Sequence, residues 1–355
     1  MSNDVTIGTL KLSETDDLLT FLKRAYDDNL RMSNVDFWKW HFLENPHTNS
    51  ENLPIWIAKS GGKIAGQLAA TPVVVNICGE KKKAIWILDL IIAPEFRRQG
   101  LAKKLINEAE EFCPLVLGIN TKEQFSTQLL EGLGYQIILN IPRFHKFLFS
   151  GNDIREIENL KPLRTIINLA LTPFRPRYKQ NENVRLVEKF DTSFDRFWAE
   201  SEAQWSCAVR RDAHLLEWQY LKQPVKKFDI IGYYENEKLL GYAVLYFRKK
   251  NANGTISKAA IADICYHPGK PKEIIDALLQ ESLRIAVERR VGGLVTDVLD
   301  NLLEERLEHF GFWRVKKPLQ FLLKSKEQQD VLYNPMNWFL TRGDSDTSIF
   351  EEPNL

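Results

Sequence analysis

Two arginines and a glycine separate two apolar segments in the stretch PEFRRQGLAKKL (Pro94 to Leu105). The segment before it, Trp86 to Ile92, is almost wholly apolar, as expected of a strand buried on both faces. The apolar residues after Gly100 recur at helical spacing, which predicts that a helix begins near Arg98 to Gly100. A helix N-terminus has free N–H groups and a partial positive charge, and both attract phosphate oxygens. The stretch therefore predicts a phosphate-binding loop, in which the arginines add charge.

The small residues Gly100 and Ala102 would let a pyrophosphate approach the backbone closely. The stretch APEFRRQGLAKKLI resembles the acyl-CoA pyrophosphate loop of the GCN5-related N-acetyltransferase (GNAT) superfamily, whose pattern is Q/R-x-x-G-x-G/A. Arg97, Gly100 and Ala102 occupy its three defining positions. GLGYQ (Gly132 to Gln136) resembles a later helix-to-strand junction of the same superfamily. The alternative interpretation is a solvated turn, but the order of strand, loop and helix favours acyl-CoA binding.

The resemblance implies a pantetheine arm between two splayed parallel strands, Leu88 to Ile92 and Leu115 to Asn120. It implies acetyl-CoA as co-substrate, whose thioester a bound amine attacks directly, and no metal is expected. The activity implied is transfer of an acetyl group to the amine of a small acceptor such as an amino sugar or an amino-acid derivative. The residues assigned to acyl-CoA binding are Leu90, Ile91, Ile92, Arg97, Arg98, Gln99, Gly100, Leu101, Ala102 and Asn120.

Asp89 is the candidate general base, since burial in an apolar strand would raise the pKa of its carboxyl group. Many superfamily members carry the base nearer the start of this strand, where Trp86 stands here, and a tyrosine acid where Leu130 stands. Asp263 occupies the position matching Asp89 in a second copy of the pattern, which favours a shared structural role. His41 is expected to pack in a Trp-rich segment.

The chain contains a repeated pattern. WKWHFLENP (Trp38 to Pro46) matches LEWQYLKQP (Leu216 to Pro224), and WILDLIIAP, which begins at Trp86, matches AIADICYHP, which begins at Ala260. The matches fall in the same order, which indicates a duplicated unit of about 150 residues. In the second copy GKPKEIIDALL replaces the loop, so this copy is not expected to bind CoA in the same way. Trp40 and Trp218 occupy matching positions, and they are expected to pack between helix and sheet, as is Trp38. Packing roles are also expected for His47 and Tyr135.

The predicted fold is α/β, with two tandem GNAT folds. Each is a mixed, mostly antiparallel sheet with two splayed central parallel strands and helices on both faces. The predicted divisions are an acyl-CoA-binding domain (1–150), a linker with a packing helix (151–184), a degenerate GNAT-like domain (185–325) and a tail (326–355). The apolar stripe of the linker helix could also bind a membrane, but packing is favoured.

The composition contains 48 Lys and Arg against 47 Asp and Glu, a net charge of +1 that disfavours nucleic acid and anionic membranes as partners. The cysteines are too far apart to indicate a zinc site or a disulfide framework, which fits a cytoplasmic location. The expected partner is a small amine, and a homodimer is possible. In the tail, Asp344 and Asp346 would bind a cation or remain solvated. Two alternatives stay open: a non-catalytic acyl-CoA sensor or assembly module, and an aminoacyl transferase.

Overall fold

The computed structural model describes residues 5–26, 34–121, 125–148, 160–171, 173, 177–248, 258–327 and 329–344. The strands of these residues are β1 (Val5–Thr9), β2 (Ile55–Ser60), β3 (Lys63–Ile77), β4 (Glu80–Ile92), β5 (Leu115–Thr121), β6 (Gln136–Phe147), β7 (Val184–Leu186), β8 (Cys207–Val209), β9 (Phe228–Glu235), β10 (Lys238–Phe247), β11 (Lys258–Tyr266), β12 (Gly293–Leu299), β13 (Trp313–Ser325) and β14 (Trp338–Thr341). The helices are α1 (Thr15–Ala25), α2 (Val35–Phe42), α3 (Leu101–Phe112), α4 (Phe125–Gly132), α5 (Lys161–Leu171), α6 (Thr192–Ser201), α7 (Ala213–Leu216), α8 (Pro271–Glu288), α9 (Asn301–His309) and α10 (Asp330–Tyr333).

The chain divides into two compact units that are interleaved in sequence. The first unit comprises Met1–Asn140, His214–Val225 and Gln320–Pro335. The second comprises Ile141–Ala213, Lys226–Leu319 and Met336–Leu355. These boundaries differ from the contiguous domains expected from the sequence, because two short segments of the second half complete the first unit.

The first unit is a mixed sheet with the strand order β1-β2-β3-β4-β5, followed by the part of β13 from Gln320 onward. The pairs β1–β2, β2–β3 and β3–β4 are antiparallel, whereas β4 and β5 run parallel. Alternation along β3 places Leu68 and Ala70 in the core cluster with Leu105 of α3, while Thr71 contacts His41 of α2. Helices therefore cover both faces of the sheet, as the sequence predicted.

The second unit has the strand order β6-β12-β11-β10-β9-β7. Within that order β11 and β12 run parallel, whereas the pairs β6–β12, β10–β11, β9–β10 and β7–β9 are antiparallel. The helix α8 packs along β9 to β12, with Ile274, Leu278 and Leu279 fully buried. A mixed, mostly antiparallel sheet with one central parallel pair is thus present in each unit, which confirms the predicted fold class.

No helix among the residues that the structure describes is both long enough and apolar enough to cross a membrane.

Candidate acyl-CoA site

The parallel strands β4 and β5 separate part-way along their length. Their ladder consists of Ile85 opposite Val116 and Trp86 opposite Leu117. Beyond these residues β4 continues to Ile92 on the β3 side only, with Gly66 opposite Ile92. The backbone groups of β4 that face away from β3 are therefore available to an extended ligand over this stretch. This is the splayed pair that the sequence predicted.

Asp89 lies at an irregularity in β4. Gln67 of β3 pairs with Ile91, whereas Ala69 pairs with Leu88, so Asp89 and Leu90 together oppose the single residue Leu68. Asp89 has a φ of 53°, which is the left-handed conformation that non-glycine residues seldom adopt. An extra residue of this kind is a β-bulge, and bulges redirect side chains next to functional sites.

A short loop connects β4 to α3. A 3₁₀ turn over Pro94–Phe96 follows the strand, and the guanidinium of Arg97 then turns back, so that its Nε donates to the carbonyl oxygen of Ile92 at 3.1 Å. Gly100 is the N-cap of α3 with a φ of 75°, and Arg98 is also left-handed, with a φ of 62°. Glycine adopts this conformation without strain, so the sequence has glycine where the chain turns into the helix.

The loop combines exposure with positive charge. Arg97, Arg98, Gln99 and Gly100 are all exposed, and the first turn of α3 contains no acidic residue. A Cβ built at Gly100 would meet no protein atom within 4 Å, so the space beside the glycine is open. The twelve-residue helix α3 therefore begins at an exposed, left-handed glycine that directly follows two exposed arginines and Gln99. Free N–H groups at a helix N-terminus bind phosphate, and nearby cations add to the attraction.

The predicted binding residues lie at the end of β4, in the loop, in the first turn of α3 and on β5. Leu90, Ile91 and Ile92 are half-buried at the unpaired end of β4, and Ala102 is half-buried in the first turn of α3. Leu101 is 3% exposed and anchors the helix in the core. Asn120 is half-buried on β5, three residues beyond its last pairing with β4, so it lies on the other strand of the splayed pair.

Comparison with known proteins gives the same assignment for this region. Residues 16–128 match the model of the Acetyltransferase (GNAT) family. This region of the chain is therefore similar to the GNAT family. A curated relative, N-acetyltransferase family 8 member 3 of Mus musculus, is 25% identical over 115 residues, or 28% of this chain and 50% of the relative. N-acetyltransferase 8F1 of Rattus norvegicus is 31% identical over 87 residues, or 23% of this chain and 38% of the relative. The chain thus spans half or less of the length of these relatives.

Solved structures extend the likeness to the whole chain at the level of the fold. N-myristoyltransferase of Saccharomyces cerevisiae with bound myristoyl-CoA has a TM-score of 0.61 at 11% identity, covering 91% of this chain and 83% of that one. A GCN5-related N-acetyltransferase of Anabaena variabilis has a TM-score of 0.59 at 16% identity, covering 90% and 72%. Over about nine tenths of its length, the chain is therefore similar in fold to these two structures.

Desolvation raises the pKa of the Asp89 carboxyl group to about 7, and a hydrogen bond from the Tyr26 hydroxyl to Oδ1, at 3.2 Å, offsets part of the rise. A carboxyl group with such a pKa can exchange a proton near neutral pH. Over the whole residue, Asp89 is half-buried. Because the residues are 63 positions apart, sequence reasoning missed Tyr26.

The Trp-rich segment packs, as predicted. Trp40 stacks on Trp218, its counterpart in the repeat, with ring centroids 4.9 Å apart and planes inclined by 15°. Each indole N–H donates to the backbone carbonyl of the other tryptophan at 2.8 Å. His41 is fully buried beside them, 2.7 Å from the Thr71 hydroxyl, and desolvation lowers its pKa to about 3. His41 is therefore neutral and part of the core. Trp38 is 3% exposed and His47 is half-buried.

The junction after α4 also has a packing role. Tyr135 is 3% exposed and belongs to the same hydrophobic cluster as Leu130 and Leu105. Burial raises the pKa of the Tyr135 hydroxyl well above its ordinary value. The position where a superfamily acid would stand, Leu130, is 2% exposed. This junction thus supports the sheet and supplies no acid to the chemistry.

In the second unit, the corresponding strand pair is occupied by protein. β11 and β12 pair from Lys258–Gly293 to Ala260–Val295, and further along β12 the residues Val298 and Leu299 pair with β14 instead. Arg342, which follows β14, is 1% exposed and donates to the Asp297 carboxylate and, at 2.8 Å, to the Tyr246 hydroxyl. The C-terminal segment thus fills the gap between the separating strands.

Asp263, the counterpart of Asp89, is held in a buried polar network. It is 3% exposed and accepts hydrogen bonds from Arg211, from Tyr242 at 2.8 Å and from Thr341 at 2.8 Å. Arg211 also contacts Asp344, so Asp344 is an internal partner and the interpretation of a solvated tail is wrong at this residue. Asp346 lies outside the described residues. Sequence reasoning missed Arg211 and Arg342, and the only sign was a charged RGD triplet directly after an aromatic run.

Proposed function

We propose that this protein is an acyl-CoA-dependent N-acyltransferase whose acyl-CoA site lies in the first unit. The observation that carries the proposal is the continuity of the splayed β4 edge with the left-handed Gly100 turn at the start of α3. The unpaired edge fits a pantetheine arm, since that arm has amide groups along an extended chain. The Gly100 turn fits the pyrophosphate.

Asp89 is the proposed general base. The amine nitrogen attacks the thioester carbonyl carbon, a C–N bond forms, and backbone N–H groups near Leu90 to Ile92 stabilise the oxyanion. Asp89 accepts the proton that the amine loses, directly or through a water molecule. The C–S bond then breaks, and the CoA thiolate takes up a proton. A base with a pKa of about 7 is efficient near neutral pH, and no covalent enzyme intermediate forms.

The proposed donor is acetyl-CoA, as the names of the curated relatives suggest for their own reactions. The yeast enzyme of similar fold has myristoyl-CoA bound, so longer acyl groups are the alternative to be measured. The proposed acceptor is the amine of a small molecule. A net charge of +1 gives no overall attraction for polyanions, and this supports a small acceptor over nucleic acid.

The test is turnover of acetyl-CoA and myristoyl-CoA with a library of small amines, followed as release of free CoA thiol. We expect amine-dependent thiol release from one donor, and its loss in Gly100→Val, since valine adds bulk where pyrophosphate must reach the backbone. The matched control is Gly79→Val. Gly79 has a φ of 88° and open space around its Cβ position, so the variant carries the same backbone strain away from the loop.

The outcomes separate this proposal from the alternatives. CoA binding without thiol release on any amine would support a sensor or assembly module instead. Thiol release that is equal in Gly100→Val and Gly79→Val would contradict the assignment of the site to the Gly100 loop. An aminoacyl transferase would transfer from charged tRNA and leave both acyl-CoA donors intact.

A further inference from the structure

The helix α5 has an apolar stripe that faces solvent. Leu163 is 42% exposed, Ile166 is 64% exposed and Leu169 is 74% exposed, and Leu160, just before the helix, is 50% exposed. These residues recur every three positions, which places them along one side of the helix. Sequence reasoning favoured this stripe as a packing surface, and the exposure of these side chains contradicts that interpretation.

A comparison with α3 shows how unusual this exposure is. The two helices are nearly equal in length, at eleven and twelve residues, and both have an apolar stripe. In α3 the stripe is buried: Leu105, Ile106 and Ala109 are fully inaccessible. In α5 the described apolar side chains are half-buried at best, as at Ile167, and most are exposed. Exposed apolar surface of this extent on one helix marks an interaction site.

The sequence around α5 is strongly cationic. The twenty residues from Leu160 to Lys179 include five basic residues and no acidic one, whereas the whole chain is nearly neutral. Those five are Lys161, Arg164, Arg175, Arg177 and Lys179. Arg177 and Lys179 are exposed.

We propose that α5, with the exposed Arg177 and Lys179 after it, forms a docking surface for an anionic lipid bilayer. An amphipathic helix with an apolar face and Lys or Arg on the other face lies in the interface plane of a membrane, and anionic headgroups attract its cations. The positive charge of this segment favours an anionic surface over a second copy of the chain, because the second copy would carry the same positive segment. This inference does not rest on the proposed acyl transfer. It departs from the expectation of no membrane partner, which relied on the net charge of the chain and on the preference for a packing role of the apolar stripe.

The test is flotation of the full-length protein with vesicles of phosphatidylcholine alone or mixed with phosphatidylglycerol. We expect binding to the mixed vesicles only, weakening as salt increases. The double variant Ile166→Glu with Leu169→Glu should bind at least about tenfold more weakly, since it places charge in the apolar face. The control is Leu186→Glu, at an equally exposed leucine (68%) on β7, which should bind like the wild type.

A second variant separates charge from apolar insertion. Arg177→Gln with Lys179→Gln should weaken binding to the mixed vesicles roughly 25-fold at low salt, at about fivefold per cation. Circular dichroism and thermal melting would show that each variant is folded. The proposal is overturned if the wild type does not bind mixed vesicles at low salt, or if the Ile166 and Leu169 variant binds equally well. It is also overturned if light scattering shows that the wild type is a dimer and that only the Ile166 and Leu169 variant disrupts this dimer.

Discussion

The two parallel strand pairs, β4–β5 and β11–β12, separate in the same manner but are completed by different material. In the first unit, the separating strand β4 leads to the exposed Arg97 to Gly100 loop, and its last residues are half-buried. In the second unit, β14 pairs with the end of β12, and every residue of β11 is buried. The same frame therefore leaves the end of β4 unpaired with β5 in one copy, and pairs the end of β12 with its own chain in the other.

The two matched aspartates show what this difference does to chemistry. Asp89 is half-buried, has a left-handed backbone and accepts from the Tyr26 hydroxyl, and desolvation raises its pKa to about 7. Asp263 is buried against the guanidinium of Arg211 and two hydroxyl groups. A carboxylate neutralised by a buried cation stabilises the fold, whereas one that is desolvated without a cation can exchange a proton.

The largest expected effect concerns stability. Asp263→Ala leaves the buried Arg211 with one carboxylate fewer, so we expect a loss of about 3–5 kcal/mol in the free energy of unfolding. Asp89→Ala should cost less than about 1 kcal/mol, because its carboxyl group has a hydroxyl partner and no buried cation. Denaturant unfolding of both variants measures the difference. Equal losses would show that the two aspartates share one structural role, as the sequence suggested.

The next effect concerns turnover. Asp89→Asn keeps the shape of the side chain but cannot accept a proton, so acyl transfer should fall by about 10²-fold to 10⁴-fold while CoA affinity is unchanged. The control for altered packing is Thr71→Val, which removes the hydroxyl group that contacts His41. This variant should leave the rate within a few-fold of the wild type. An Asp89→Asn enzyme as fast as the wild type would remove Asp89 from the mechanism.

The smallest expected effect concerns the pH dependence of the rate and the part that Tyr26 has in it. The rate should increase with pH up to about 7 and then level off, since Asp89 must be unprotonated to act as a base. The Tyr26 hydroxyl stabilises the charged carboxylate, so Tyr26→Phe should raise the pKa and move this limb upward, by about 0.5 to 1 pH unit. A pH–rate profile of both proteins measures the shift. A limb that stays in place or moves downward would contradict the assignment.

The fold and the loop were predictable because their causes are local. Helical periodicity after Gly100, the apolar run before Pro94 and the repeated tryptophans each correspond to a short-range pattern. The stacking of Trp40 on Trp218 was not predicted, although the repeat alignment placed the two residues at matching positions. The loop residues are contiguous in sequence, and so the site could be assigned before its geometry was known.

The electrostatic environment of the site could not be predicted, because it depends on partners that are distant in sequence. Arg211 is 52 residues from Asp263 and 133 from Asp344, and Tyr26 is 63 from Asp89. The left-handed backbone of Asp89 also leaves no mark in the sequence, since aspartate occurs in many conformations. For this reason the two aspartates looked equivalent in sequence and differ in structure.

The most direct test of this contrast is a calorimetric titration of CoA into the full-length protein and into Gly100→Val, with Gly79→Val as control. We predict one CoA bound per chain in the wild type and the control, and at least about tenfold weaker binding in Gly100→Val, which corresponds to 1.4 kcal/mol. Two CoA molecules per chain would contradict the filled second unit. One CoA per chain bound equally well by Gly100→Val would contradict the site at the Gly100 loop.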